Sequence, residues 1–242
     1  ADEYLAATPE RLLVELRDYQ LEGFRWLARR ARAGAGCCLA DDMGLGKTLQ
    51  VLALLLQESV RGPQLVVCPT SVLSNWQQQA AQFAPSLKLM VLEGRGRQAQ
   101  LERLGPGHIA LCSYGILLQD AERLAELQWR TVILDEAQYI KNPESKTARA
   151  ACSLPADIRV ATTGTPVENR LTELWSLFQF LNPGLLGSLS GFQKRFVERP
   201  DARSRLRRLV APFLLRRLKT QVLRELPPRT DIDLEVELSE RE

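Results

Sequence analysis

Residues 39–48 read LADDMGLGKT, and residues 131–138 read TVILDEAQ. The first has the makings of a phosphate-gripping loop, the second of a strand end that holds a metal and a water. Glycines at 44 and 46 let backbone N–H groups approach phosphate oxygens, and a helix starting behind them points its positive N-terminus at the same place. Lys47 can reach the terminal phosphates and the Thr48 hydroxyl can ligate Mg2+. Asp42, Met43 and Leu45 complete the backbone of the cradle. The strict loop pattern has glycine six residues before the lysine; Asp41 stands there instead, and Gly44 is expected to do part of that work. Asp135 is placed to hold Mg2+, partly through water, and Glu136 to polarise an attacking water. An Asp-Glu pair alone also reads as a helix N-cap in a favourable dipole. With a phosphate loop upstream, the two segments together point to ATP and Mg2+.

The elements around these segments have the order that phosphate binding needs. GAGCCLA is short, apolar and strand-like, and TLQVLALLLQESV has helical spacing, so strand, glycine loop and helix follow one another. TVIL is a buried-strand run that ends at Asp135. In open α/β sheets, ligands collect at the carboxyl ends of strands. Further strands are expected at QLVVC, LKLMVLE, HIALCSY and IRVATTG. Helices are expected over LRDYQLEGFRWLARRARAG (capped by Asp18 and ended by Gly34 or Gly36), 47–60, 71–83, 97–104, 114–127 and 145–153. Alternation of strand and helix predicts an α/β fold with a mostly parallel sheet sandwiched by helices.

Composition narrows the class. The chain has 242 residues, 45% hydrophobic and 25% charged, with a net charge of +3. That is ordinary for a globular protein, and its balance says little about partners. No apolar run is long enough to cross a membrane, and the first residues lack the build of a signal peptide. The five cysteines form no CxxC or Cys/His pattern, so they read as small buried residues in a reducing compartment. His108, the only histidine, opens an apolar run and reads as structural.

After Pro166 the texture changes. Residues 170–223 read as helical, and basic residues from Lys194 to Arg224 face only Glu198 and Asp201. Such a tract is a candidate phosphate-backbone surface, or a solvated helix face with its stems on the core. PPRTDIDLEVEL then resumes as a strand.

The blocks LRDYQLEGFRWL, LADDMGLGKTLQ, VVCPTSVLSNW, LCSYGIL, VILDEAQYIKNPES, ATTGTPVENRLTELWSLFQFLNPGLLG and FLLRRLKTQV occur in this order. The series resembles the Swi/Snf-type helicase-related ATPases of superfamily 2, the DNA translocases that include chromatin remodellers, over about Leu12 to Leu238. The family replaces the first loop glycine, which accounts for Asp41. The resemblance implies a RecA-like P-loop lobe at 1–182, a basic helical protrusion at 183–227 and, at 228–242, a returning strand linking to a second lobe. Gln20 resembles the glutamine that recognises adenine; without the family it reads as a helix-surface residue. Lys47 and Thr48 resemble the phosphate and Mg2+ ligands, and Asp135 and Glu136 the metal and water residues. Thr70 with Ser71, and Ser113 with Tyr114, resemble blocks that hold one DNA strand by its phosphates, without reading sequence. Gly164, Thr165 and Pro166 resemble the block that couples hydrolysis to motion. Gln138 stands in a DEAQ box where many eukaryotic relatives carry His, which suggests a prokaryotic branch. The protein would then be cytoplasmic and nucleoid-associated; a eukaryotic member would be nuclear.

The resemblance also implies a partner lobe. Such ATPases draw an arginine finger from a second RecA-like lobe, in a block resembling QxxGRxxRxGQ, and no such block occurs here. The expectation is a DNA-dependent ATPase and double-stranded-DNA translocase whose first lobe is nearly inactive alone. Two other readings compete. A DEAD-box-like RNA helicase is disfavoured by DEAQ and by the basic segment after TGTP. A non-catalytic nucleotide-binding module is disfavoured by the intact Lys47, Thr48, Asp135 and Glu136.

Overall fold

Parallel strands covered on both faces must be apolar at successive positions, because alternate side chains serve opposite layers. The computed structural model, which describes residues 6–164 and 170–222, shows this arrangement. In chain order it contains α1 (Asp18–Arg32), β1 (Cys37–Leu39), α2 (Lys47–Glu58), β2 (Gln64–Cys68), α3 (Leu73–Phe83), β3 (Lys88–Val91) and α4 (Arg97–Leu101). Then come β4 (His108–Ser113), α5 (Tyr114–Gln119), α6 (Ala121–Ala125), β5 (Trp129–Asp135), α7 (Lys146–Ser153) and β6 (Ala156–Thr162). After the gap follow α8 (Leu171–Leu181), α9 (Leu189–Phe192) with a π-helical turn at Gln193–Val197, α10 (Arg203–Val210), β7 (Leu214–Leu215) and α11 (Lys219–Val222). The strands form one seven-stranded sheet in the order β3-β4-β2-β5-β6-β1-β7, parallel at every pairing among the described residues. Cys37, Leu39, Val66, Ile133 and Val160 pack toward α1–α3. Their neighbours Cys38, Val67, Val132, Leu134 and Ala161 pack toward α5–α8.

Register puts the chemistry on one edge. Leu39 of β1 pairs with Thr162 of β6, and Thr162 with Asp135 of β5. Leu39 also pairs with Leu215, and Cys68 with Ser113. The residues that follow each of these strands therefore emerge side by side at the carboxyl edge. Neighbouring strands lie about 4.8 Å apart, so β1 and β5, separated by β6 alone, open about 10 Å from each other.

Several local expectations need correction. Asp18 does not cap α1: it is the first helical residue, and Arg17 occupies the cap position, its N–H donating 3.0 Å to Gln20 Oε1. Gly34, at φ +65°, ends the helix in the left-handed conformation that glycine adopts freely. The segment 170–223 is not helical throughout. Pro212 removes a donor after α10, and the apolar pair Leu214–Leu215 joins the free edge of β1 as a strand. The chain thus returns to the sheet within the span expected as protrusion. The strand expected at 228–242 lies outside the described residues, as do Thr165 and Pro166. From α8 to α10, the chain packs through Phe178, Leu186, Phe192, Phe196, Leu206 and Val210.

The entry of β1 is pinned by a side chain far away in sequence. Asn182 accepts from the Gly36 N–H at 3.0 Å and donates to the Gly36 carbonyl at 2.9 Å. A Cβ at Gly36 would lie 2.1 Å from the Leu181 carbonyl oxygen, so only glycine allows the approach. Asn182→Ala is expected to cost about 1–3 kcal/mol of stability, since it strips two partners from half-buried backbone. A urea-denaturation midpoint lowered without a change in slope would verify this.

Candidate functional site

The loop between β1 and α2 is shaped by two left-handed glycines, Gly44 at φ +86° and Gly46 at φ +74°. Gly46 sits at the N-cap of α2. A Cβ there would meet Gln20 Nε2 at 2.4 Å, so the small residue makes room for the glutamine. Gln20 is 8% exposed and is not the surface residue that its helix position suggests. Its carboxamide bridges the Arg17 N–H and the loop, with Nε2 3.5 Å from the Leu45 carbonyl. Gln50 of α2 directs its amide at the Leu45 and Gly46 carbonyls, both at 3.4 Å. Lys47 folds back on its own loop, donating to the Asp41 carbonyl at 2.7 Å and reaching the Asp42 carbonyl at 3.4 Å. Met43 is exposed at the loop tip, and Thr48 is half-buried in the first turn of α2.

Asp41 is where the loop departs most from its pattern. It is fully buried and ion-paired with Arg217, which follows β7. Asp41 Oδ1 accepts from the Arg217 backbone N–H and from Nε, both at 3.0 Å, and Oδ2 accepts from Nη2. Arg217 also donates to the Tyr19 carbonyl and to Gln50 Oε1. The cation expected on a basic helix instead pairs with the loop between β1 and α2. Arg195 is exposed and donates back to the Gly191 and Leu186 carbonyls, and Arg203, Arg205, Arg207 and Arg208 of α10 are exposed at the surface.

Across β6, the Asp135 carboxylate is held by three donors. Trp76 Nε1 reaches Oδ2 at 2.8 Å, Thr162 Oγ1 reaches Oδ1, and the Glu136 N–H reaches Oδ1 at 3.1 Å. Neither carboxylate caps the 3-10 turn that follows, so the capping alternative for the Asp-Glu pair is set aside. Glu136 has φ +52°, the one positive φ outside glycine among the described residues. Such a conformation is strained for a residue with a Cβ, and strain of this kind concentrates at functional sites. Gln138 Nε2 donates 3.0 Å to Glu136 Oε2, and Gln138 Oε1 accepts from Thr163 Oγ1 at 3.1 Å. Gln138 thus bridges the carboxylate and the end of β6, immediately before Gly164. Thr163 carries no sequence signal beyond its place in ATTGTP.

The remaining blocks flank this centre. Thr70 and Ser71 are exposed beyond β2. Ser113 caps α5, accepting from the Ile116 N–H at 3.2 Å. The Tyr114 side chain points inward: its hydroxyl donates 2.8 Å to the Asp135 carbonyl, and its ring stacks on Tyr139 at 4.7 Å. Burial, then the nearby Asp135 charge, holds the Tyr114 hydroxyl well above its ordinary pKa, so it remains a donor. Burial likewise pushes the Cys38 and Cys68 thiols up to about 12, which leaves them protonated and inert. His108 lies at the opposite, amino end of β4, facing the Gly105 carbonyl.

The donor set fits a magnesium nucleotide. A loop turned by the left-handed Gly44 and Gly46 precedes the N-terminus of α2, with a lysine, a threonine hydroxyl and an aspartate at one sheet edge. A family profile described as SNF2-related domain matches residues 19–242. The chain belongs to the SNF2-related family. Among SNF2 relatives, it is 44% identical over 234 residues to the putative ATP-dependent helicase/translocase YwqA of Bacillus subtilis, covering 89% of this chain and 25% of that protein. It is 36% identical to the chromatin-remodeling ATPase INO80 of Cryptococcus neoformans, over 97% of this chain and 15% of that protein. Its fold matches the Sulfolobus solfataricus SWI2/SNF2 ATPase core solved in complex with dsDNA, with TM-score 0.84 and 41% identity over 93% of this chain and 49% of the other. The chain thus spans a quarter or less of these curated SNF2 relatives and about half of the solved core.

Proposed function

We propose that the chain is the ATP-binding first lobe of a double-stranded-DNA translocase. The observation that carries this reading is the single carboxyl edge, where the phosphate loop and Asp135–Glu136 end strands separated by β6 alone. Membership in the SNF2 family supports it. The loop N–H groups and Lys47 bind the phosphates, Gln20 faces the purine, and Thr48 and Asp135 hold Mg2+. Bound Mg2+ supplies charge neutralisation at the phosphate oxygens. Glu136 orients a water and accepts its proton, and Gln138 fixes the carboxylate while reporting its state to Thr163 and Gly164. Thr70, Ser71, Ser113 and the backbone at Tyr114 grip DNA phosphates at the same edge. A second RecA-like lobe closes over the nucleotide and contributes an arginine finger, a contribution worth roughly 10³–10⁵ in rate. On this reading the protein works on chromosomal DNA, in the cytoplasm of a prokaryote or the nucleus of a eukaryote.

The test is ATP turnover of this chain and of the longer protein containing both lobes, each with duplex DNA, single-stranded RNA or neither. Turnover confined to the longer protein and accelerated by duplex DNA is the expected result. Brisk turnover by the chain alone would remove the two-lobe reading. Preference for RNA would move the protein to the RNA-helicase class.

A further inference from the structure

We infer that Trp76 and Tyr114 are positioning residues that set Asp135, the first at its carboxylate and the second at its main-chain carbonyl, and through it tie the two DNA-gripping segments to the metal site. The first half stands on geometry alone. The second rests on the proposed function.

Trp76 lies one turn into α3, directly after the exposed Thr70–Val72 turn. It is 1% exposed, so its indole N–H has no solvent to bind, and it donates at 2.8 Å to Asp135 Oδ2. A buried indole N–H aimed at a carboxylate makes a charge-assisted bond that fixes the carboxylate plane. Thr162 holds the other oxygen from β6. Tyr114 enters from a different strand end. It follows Ser113, the last residue of β4, and donates at 2.8 Å to the Asp135 main-chain carbonyl. Its ring is clamped against Tyr139, within the same turn as Glu136 and Gln138, with planes 4° apart. Each segment that emerges at the DNA side of the edge is therefore one hydrogen bond from Asp135, one at the side chain and one at the backbone. No packed layer intervenes in either path. A shift of α3 or of the α5 N-terminus on gripping phosphate moves a donor of Asp135 directly. Partners of this kind typically govern metal affinity by about 10–100-fold.

The experiment measures binding of a fluorescent ATP analogue to the chain, with and without Mg2+ and with and without duplex DNA, alongside thermal melting. Trp76→Phe keeps an aromatic ring and removes the donor. Tyr114→Phe removes one hydroxyl and leaves the stack on Tyr139. Each variant is expected to bind the metal-free analogue as the parent does, while the gain in affinity from Mg2+ falls about tenfold. An unchanged Mg2+ gain in both variants overturns the positioning role. Should Trp76→Phe fail to fold, replacement by benzothienylalanine, which swaps N–H for sulfur in the same ring shape, gives the same reading. With DNA, binding linkage requires that DNA and Mg2+-nucleotide alter each other's affinity by one factor. That factor is expected to approach one in the double variant. A parental factor in the double variant overturns the coupling. A parent chain that binds no DNA overturns the coupling together with the DNA reading, and leaves the Mg2+ result to decide the positioning role by itself.

Discussion

Glu136→Gln, in the longer protein that contains both lobes, is expected to lower ATP turnover by about 10²–10⁴-fold with little change in nucleotide affinity. The substitution removes a proton acceptor and keeps the shape. The carboxamide oxygen can still accept from Gln138 Nε2, the donor that holds Glu136 Oε2 at 3.0 Å, so the turn that carries it stays in place. Single-turnover hydrolysis beside a fluorescence titration separates the two quantities. Turnover within a few-fold of the parent would show that Glu136 is not the group that takes the proton. The backbone offers a second readout. At φ +52° this residue is held where a Cβ costs about 1–2 kcal/mol. Glu136→Gly should therefore abolish turnover to a similar degree. It should also unfold no more easily than the parent, because the relief of strain offsets the loss of a half-buried side chain. A residue whose loss silences the chemistry and spares stability is held in place by the fold for function.

Much of the carboxyl edge of the sheet is legible in the sequence because its signals are local. Apolar runs such as VILD and LVVC mark strands buried on both faces, and glycine, lysine and threonine at fixed spacing mark a glycine-turned loop that runs into a helix. What the sequence does not display are bonds between residues remote along the chain. The indole of Trp76 reads as an apolar helix position, and nothing near it says that its N–H reaches Asp135. Gln20 reads as surface because its helix pattern carries no trace of the loop that covers it. Leu214–Leu215 reads as helix because two residues are too few to show a strand period and they follow a strongly helical basic segment. The charge of Arg217 suggests solvent or phosphate, and only tertiary structure reveals a buried carboxylate as its partner. Local patterns report backbone geometry; the second layer of side chains that aims the chemistry is set by packing between elements and leaves no period to read.

Arg217→Met is expected to destabilise the chain by about 3–5 kcal/mol, because it leaves the Asp41 carboxylate buried with its main partner gone. For a protein of this size, that is a fall in melting temperature of roughly 10 °C. Asp41 has no exposed surface from which to recover solvation. The guanidinium that serves it also donates to the Tyr19 carbonyl and to Gln50 Oε1, and lies 5.6 Å over the Tyr19 ring. One cation thus joins the start of the β1–α2 loop to α1, α2 and the end of β7. Arg217→Lys should recover only part of the loss, since an ammonium cannot present the two-pronged fork to a carboxylate. The double variant Asp41→Ala with Arg217→Met should be markedly more stable than Arg217→Met alone, because no buried charge is left unpaired, and the cycle of four proteins then gives the coupling energy. Additive losses in that cycle would mean that the pair contributes no more than its separate packing. The same contact gives a physical reason for an aspartate where the strict loop has glycine. The backbone crossing from β1 is already tied to β7 by the Ala40 N–H on the Leu215 carbonyl at 2.7 Å and the Asp42 N–H on the Arg217 carbonyl at 3.0 Å. A side chain at position 41 can then reach Arg217 without entering the cradle, and the glycines at 44 and 46 supply the turns. In the folded double variant the loop has lost its ionic tie to β7, so nucleotide affinity is expected to fall even where stability has recovered. Affinity equal to the parent's would confine Asp41 and Arg217 to a structural role.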